Sequence, residues 1–191
     1  MVDNIFKNTL NTRAILPDSI RFVRSDVPVN ITEQEVEWLI AHDITTVIDL
    51  RTAEERCNKE CPLAGNPHFR YYCMPVTGGS VVPKTVDEVS KSYINMVDEQ
   101  MHKIIDTIWT SETNVLYFCN AGKDRTGVVT AILLCKAGMN LEYIIEDYMK
   151  SKLNLRDVLE SYARRFPDVN IDIITPHERY ITELFEWYTN S

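Results

Sequence analysis

The sequence predicts an α/β fold in which a central, mostly parallel sheet is flanked by helices and followed by a helical C-terminal region. Short runs of β-branched and apolar residues alternate along the chain with longer stretches whose apolar residues recur at helical spacing. The strand-like runs are apolar on both faces, which is typical of a sheet covered by helices on both sides. Alternation of strands and helices favours parallel pairing, because each crossover helix packs back on the sheet.

The first half of the chain contains three predicted strands and one predicted helix. Residues 20–25 and 44–50 are rich in Ile, Val and other β-branched or apolar residues, as buried strands are. Residues 69–76 repeat this pattern and end before a pair of glycines. Thr32 and Glu35 have the spacing of a capping box, which predicts that a helix begins there.

The second half contains one more predicted strand among helices. A long helix is predicted over residues 85–109, because their apolar side chains fall on one helical face. Residues 114–119 form a buried strand that runs into a glycine-containing loop. A helix over residues 126–136 follows and ends at Gly138. The remaining residues, 141–191, are predicted to be helical.

The composition fits one domain of a soluble protein. The chain has 191 residues, of which 45% are hydrophobic and 25% charged, and its formal net charge is −8. Domains commonly have about 100–200 residues, so we expect a single domain over residues 1–191, with residues 1–12 as a loosely held N-terminal segment. The negative charge argues against nucleic acid as a partner, because nucleic-acid binding depends on Lys and Arg.

The sequence also indicates where the chain is located. No window approaches the roughly 18 apolar residues of a membrane span, so we expect no stable membrane insertion. The N-terminus carries no apolar stretch typical of a signal peptide. The five cysteines are odd in number and irregularly spaced, which favours reduced thiols and a cytoplasmic location. The oligomeric state is left open by the sequence.

Residues 119–125, Cys-Asn-Ala-Gly-Lys-Asp-Arg, follow the strand at the sheet edge where α/β proteins bind ligands. A loop between a strand and a helix directs successive backbone N–H groups inward, which forms a nest for an anion. Cys119 supplies a nucleophile there, because a helix N-terminus favours the thiolate. Arg125 returns round the loop, and its guanidinium can bind two phosphate oxygens at once.

The other residues of this loop complete a site for displacing phosphate from an ester. Gly122 allows an unusual backbone angle without the steric penalty of a Cβ atom. Thr126 can donate its hydroxyl to the cysteine sulfur and so favour sulfur as the leaving group of a second step. Neither a metal nor a cofactor is required. The predicted phosphate-binding residues are Asn120, Ala121, Gly122, Lys123, Thr126 and Arg51.

The segment 118–127, Phe-Cys-Asn-Ala-Gly-Lys-Asp-Arg-Thr-Gly, resembles the phosphate-loop signature of the protein tyrosine phosphatase superfamily. More narrowly, residues 121–127 resemble the bacterial-type tyrosine phosphatases with dual protein and phosphoinositide activity. Residues 21–26 and 46–51 fit the same group, and the resemblance extends over residues 11–140. It implies a cysteine-dependent phosphatase that hydrolyses phosphotyrosine, with phosphoserine and phosphothreonine as further substrates.

Two residues of the signature leave alternative functions open. The lysine at position 123 is a feature that the bacterial-type tyrosine phosphatases share with phosphoinositide phosphatases, where an extra cation suits a highly charged head group. A phosphoinositide phosphatase is therefore one alternative. Phe118 stands where the family usually has His, so a weakly active phosphate-binding module is another. The expected partner is therefore a phosphorylated protein or a phosphoinositide.

The leaving oxygen of the substrate needs a proton, most often from Asp or Glu. The Trp-Pro-Asp tripeptide of the better-known tyrosine phosphatases does not occur in this sequence. Asp124 is the first candidate, and the resemblance implies it, while Asp49 at a strand end is the second and Asp87 a remaining one. The structural alternatives are an ion pair of Asp124 with Arg125 or a cap of the helix, and a buried ion pair of Asp49 with Arg51.

A second cluster of potential metal ligands lies in the middle of the chain. Cys57, Cys61, His68 and Cys73 are close in sequence, but they lack the short Cys-x-x-Cys spacing of zinc knuckles. We therefore predict thiols of the core or surface and no metal site.

Overall fold

Five strands form one sheet in a computed structural model, which describes residues 6–190. The order across the sheet is β1-β2-β5-β3-β4. β1 and β2 are antiparallel, whereas the three other neighbouring pairs are parallel. The predicted mostly parallel sheet is therefore confirmed. The strands are β1 (Arg13–Leu16), β2 (Ser19–Asp26), β3 (Ile44–Asp49), β4 (Arg70–Cys73) and β5 (Asn114–Cys119).

Helices cover both faces of the sheet and make up the C-terminal region, as predicted. The first helix begins with the predicted capping box, because Thr32 accepts a hydrogen bond from the Glu35 amide and Glu35 accepts one from the Thr32 amide. Within residues 6–190 the helices are α1 (Glu33–Ala41), α2 (Ala53–Asn58), α3 (Val86–Asn95), α4 (Glu99–Thr110), α5 (Asp124–Lys136), α6 (Leu141–Asn154), α7 (Arg156–Arg165), α8 (Ile171–Ile174) and α9 (Glu178–Asn190).

The prediction of one long helix over residues 85–109 is wrong. α3 ends before Met96, and the Asp98 side chain accepts a hydrogen bond from the Met101 amide, which starts α4. Asp is a strong N-cap residue, but the apolar spacing continues across the break and hides it. Two short elements, the edge strand β1 and the helix α2, were not predicted from the sequence.

The sheet separates two hydrophobic cores. Tyr117 and Cys119 of the central strand β5 belong to the core under α3–α6 and α9, while Leu116 and Phe118 belong to the core on the α1 side. This alternation follows from the opposite directions of successive side chains in a strand. Phe118 is thus fully buried on the face opposite Cys119.

The N-terminal segment is held more firmly than expected in the part that the structure describes. Phe6 is buried in the core on the α1 side, and the Asn11 side chain is fully buried. Residues 1–5 of the predicted loose segment lie outside the described residues. Of the helices within residues 6–190, none is long and apolar enough to cross a membrane.

Candidate active site

Cys119 ends the central strand of the sheet, and the loop that follows it leads directly into α5. β5 lies between β2 and β3, and Asp26 and Asp49 end those strands beside it. α5 begins at Asp124, so five residues after Cys119 the chain is helical. The strand, loop and helix predicted around Cys119 are therefore present at the carboxyl edge of the parallel strands, where ligands bind in this class of fold.

A buried network holds the backbone of this loop in place. The carbonyl oxygen of Gly122 accepts hydrogen bonds from Arg24 at 2.6 Å and from the Asn11 side chain at 2.8 Å. Asp147 of α6 pairs with Arg24 at 2.5 Å and with Arg13 at 2.7 Å. Burial alone would raise the pKa of Asp147, but the charges of both arginines outweigh it and lower that pKa. The loop is thus fixed from β2, α6 and the N-terminal segment.

Gly122 is required by both its backbone angle and its surroundings. Its φ is +64°, in the left-handed region. A Cβ atom there would lie 2.5 Å from the carbonyl oxygen of Ser25 and 2.6 Å from the amide nitrogen of Asp26. Both atoms belong to the backbone of β2, which cannot move without disturbing the sheet.

We expect Gly122→Ala to lower the free energy of unfolding by about 2 kcal/mol or more, because left-handed strain and a backbone overlap add together. Urea denaturation measures the change. Gly138→Ala is the matched control, since Gly138 has φ +79° but a Cβ atom added to it would meet no heavy atom within 4 Å. The Gly138→Ala variant should lose only about 1 kcal/mol of its free energy of unfolding. Equal losses in both variants would contradict the steric role of Gly122.

Arg125 lies in the first turn of α5 and is held by Glu55 of α2. Its two terminal nitrogens donate to the two carboxylate oxygens of Glu55 at 2.6 Å and 2.7 Å. Glu55 also accepts hydrogen bonds from the Asn120 side chain at 2.6 Å and from the Thr52 amide at 2.8 Å. One carboxylate therefore orients the arginine, the loop and the start of its own helix. In the sequence, Glu55 stands just behind the segment 46–51 that fits the resemblance, and it has capping-box spacing with Thr52.

Glu55 also makes stability depend on pH. Burial would raise its pKa, but hydrogen bonds from Arg125 and the Thr52 amide, with the charge of Arg125, lower it from 4.5 to about 2. The pKa of Glu55 is lower in the folded state than in the unfolded state. The ionised carboxylate therefore stabilises the fold at pH values above its pKa in the unfolded state, and this stability is lost as the pH falls toward its pKa in the folded state. We expect the stability difference between the wild type and Glu55→Gln to shrink below about pH 4.5. Denaturation at several pH values measures it, and a constant difference would contradict this role.

Gly79, in the loop between β4 and α3, packs on the stem of Arg125. A Cβ atom at Gly79 would lie 2.5 Å from Cγ and Cδ of Arg125. The glycine pair noted in the sequence thus lets this loop approach Arg125 closely. Asp87, the remaining candidate for the proton donor, instead pairs with Arg179 at 2.8 Å on the surface.

The two principal proton-donor candidates have different surroundings. The Asp124 side chain is 39% exposed and lies beside the loop. Its Oδ1 accepts hydrogen bonds from Lys123 at 2.6 Å and from the Tyr93 hydroxyl at 2.5 Å. Asp124 therefore pairs with Lys123, whereas the sequence suggested Arg125 as the partner.

Asp49 and Arg51 form the buried ion pair that the sequence analysis kept as an alternative. Neither residue is exposed, and the Arg51 guanidinium donates to Asp49 at 2.6 Å and 2.9 Å and to the Lys59 carbonyl. The Tyr71 hydroxyl donates to Asp49 as well. These bonds use the hydrogen-bonding atoms of both side chains in a buried ion pair, so the proposed mechanism is built on Asp124.

The remaining loop residues differ in what they can offer to a ligand. Thr126 is fully buried, and its hydroxyl has no hydrogen-bond partner among residues 6–190, so the predicted bond to the Cys119 sulfur is not formed in this structure. Lys123 is largely buried and bound to Asp124. The Ala121 carbonyl accepts a hydrogen bond from Asn11. Phe118 lies on the opposite face of the sheet, where its ring is 5.4 Å from the Arg51 guanidinium carbon.

The middle cysteines contribute no metal centre in the described residues. Cys57 and Cys73 are exposed and Cys61 is buried, and all are free thiols. Over residues 6–190, no group of three or more His, Cys, Asp or Glu side chains is arranged to hold a metal ion.

Comparison with known proteins gives a family match over most of the chain. Residues 17–190 match the model of the tyrosine phosphatase family. A tyrosine-protein phosphatase of Nostoc commune is 28% identical over 137 residues, which cover 66% of this chain and 47% of that protein. The chain thus spans about half the length of this curated relative.

Two further proteins are similar over a shorter segment or at lower identity. The triple specificity protein phosphatase PtpB of Mycobacterium tuberculosis is 37% identical over 57 residues, which cover 30% of this chain and 20% of that protein. The crystal structure of P. aeruginosa TpbA superposes with a TM-score of 0.43 at 18% identity, and the alignment covers 94% of this chain and 99% of that one.

Proposed function

Since the chain belongs to the tyrosine phosphatase family, we propose that it hydrolyses phosphotyrosine in proteins through a phosphocysteine intermediate on Cys119. One observation carries this proposal: Cys119 ends the central strand, and Arg125, in the helix that follows, is held by a bidentate bond to Glu55. The nucleophile and the phosphate-binding cation thus flank one loop at a helix N-terminus.

Each step of the proposed reaction uses a residue of this site. The Cys119 sulfur attacks phosphorus, and the bond from phosphorus to the tyrosine oxygen breaks while Asp124 donates its proton to that oxygen. The loop amides and Arg125 stabilise the charge of the transferring group. Water then attacks the phosphocysteine, Asp124 takes a proton from that water, and the sulfur leaves with a hydrogen bond from Thr126.

Phosphotyrosine is favoured over the alternative substrates. The relative in Nostoc commune is named a tyrosine-protein phosphatase. The Mycobacterium tuberculosis relative is named a triple specificity protein phosphatase, so we keep phosphoserine and phosphothreonine in the proposal as further substrates. The case for a phosphoinositide depends on Lys123, whose ammonium group is bound to Asp124 and largely buried. A second phosphate of a head group would have to compete with that carboxylate.

A substrate panel tests this function. Purified protein is assayed for phosphate release from phosphotyrosine peptides, phosphoserine peptides and phosphoinositides in vesicles. We expect the highest kcat/KM with phosphotyrosine peptides. A higher kcat/KM with phosphoinositides would contradict the proposal and favour a phosphoinositide phosphatase. Binding of a substrate without its hydrolysis would favour the phosphate-binding module.

A further inference from the structure

The contacts of Asp124 reach beyond the phosphate loop to α3. The Tyr93 hydroxyl donates to Oδ1 of Asp124 at 2.5 Å, and the Tyr148 hydroxyl of α6 lies 2.8 Å from that of Tyr93. Both tyrosines are 2% exposed. Asp124 and Tyr93 also line a cavity of about 100 Å³, together with Gly79.

The ring of Tyr93 is held in a fixed position. It makes edge-to-face contacts with the rings of Tyr148 and Tyr180, at centroid distances of 6.2 Å and 6.4 Å. Gly127 of α5 leaves room for the Tyr148 ring, which a Cβ atom there would approach to 3.2 Å. A rigid aromatic ring costs little side-chain entropy to order, so its hydroxyl is a precise anchor for another side chain.

Tyr93 keeps its hydroxyl proton near neutral pH. Burial and the negative charge of Asp124 raise the pKa of Tyr93 well above its ordinary value. Lys123 donates to the same oxygen of Asp124. Because both donors bind Oδ1, the proton that Asp124 transfers is carried by Oδ2. The two oxygens belong to one rigid carboxyl group, so the position of Oδ1 also fixes the direction in which Oδ2 points.

We propose that Tyr93 is a positioning residue, which fixes Oδ1 of Asp124 so that Oδ2 delivers its proton to the leaving oxygen of the substrate. This inference rests on the proposed function and adds to it a residue for which the sequence predicts only a place on the apolar face of the helix over residues 85–109. The hydroxyl of Tyr93 acts through Asp124 and has no contact with the transferring phosphate in the proposed mechanism.

Leaving-group dependence tests this role. Phenol is a poor leaving group that needs a proton, whereas dinitrophenol leaves without one. We use kcat/KM, because it reports the steps up to departure of the leaving group and not the later hydrolysis of the phosphocysteine. We expect Tyr93→Phe to lower kcat/KM for phenyl phosphate by about 10-fold or more, as loss of correct acid positioning does, and to change kcat/KM for dinitrophenyl phosphate by no more than about twofold. Asp124→Asn should show the same selectivity with a larger loss.

Two further variants separate positioning from a general structural effect. Tyr180→Phe removes another hydroxyl of the same aromatic cluster, one that donates to the Asp172 carbonyl at 2.9 Å, and it should leave the ratio of the two rates unchanged. In the double variant of Tyr93→Phe and Asp124→Asn, the loss should equal that of Asp124→Asn alone, because the tyrosine acts only through the carboxyl group.

The outcomes distinguish this inference from the proposed function. If Tyr93→Phe lowered the rates for both esters equally, or if the losses in the double variant were additive, the positioning role would be overturned. The proposed phosphatase activity would not be affected by that result. If Asp124→Asn showed no leaving-group dependence, Asp124 would not be the acid and the role of Tyr93 would be overturned with it. If the wild type hydrolysed neither ester, the proposed function itself would fail.

Discussion

Arg125→Lys is expected to lower kcat/KM for phosphotyrosine peptides by about 100- to 1,000-fold, as loss of a group that stabilises transition-state charge does. A lysine ammonium is a point charge and cannot bind two phosphate oxygens in one plane. It also cannot reproduce the bidentate bond to Glu55, with its two distances of 2.6 Å and 2.7 Å. The replacement therefore loses both the phosphate contact and the contact that orients it.

Steady-state kinetics on one phosphotyrosine peptide measures this effect. Arg179→Lys is the matched control, because Arg179 also bonds to two carboxylates, Asp87 and Glu183, but on the surface. Surface ion pairs contribute little, so this variant should retain wild-type kinetics. An Arg125→Lys enzyme with near-normal kcat/KM would show that the guanidinium does not bind the transferring phosphate.

Cys119→Ser is expected to abolish turnover and to keep binding. A serine hydroxyl is a much weaker nucleophile than a thiolate at neutral pH, so kcat should fall by at least about 1,000-fold. The contacts of Arg125 with Glu55, and the network behind Gly122, do not involve the sulfur. A phosphotyrosine peptide should therefore bind the variant with a Kd within a few-fold of the KM of the wild type.

Calorimetry measures the binding, and phosphate release measures the turnover. Cys135→Ser, in the helix that follows the loop, replaces a partly buried thiol and should leave the activity unchanged. Residual hydrolysis by Cys119→Ser above a few per cent of the wild-type rate would remove Cys119 from the role of nucleophile.

The strand, loop and helix around Cys119 could be predicted from the sequence because they are local features. Cys119 and Arg125 lie within seven residues, and the strand and helix around them follow from short-range patterns of apolar residues. The mostly parallel sheet followed from the same patterns. These features need no knowledge of which distant residues meet.

The supporting residues could not be predicted because they depend on long-range contacts. Glu55 binds Arg125 across 70 positions, and Asn11 binds Gly122 across 111. The spacing of Thr52 and Glu55 predicts at most a helix start, and the position of Tyr93 on an apolar face predicts at most a core residue. Which of two carboxylates, Asp124 or Asp49, is accessible depends on burial, which is a property of the packed fold.

Trapping of the intermediate tests the central claim most directly. Wild-type protein is mixed with a phosphotyrosine peptide, stopped within a turnover by a rapid denaturing quench, and digested for mass spectrometry, with Cys119→Ser treated in parallel. The proposed mechanism predicts one phosphate on the wild-type peptide that contains Cys119 and none on the same peptide of the variant. Steady hydrolysis of the substrate by wild-type protein whose Cys119 peptide never carries phosphate would contradict it.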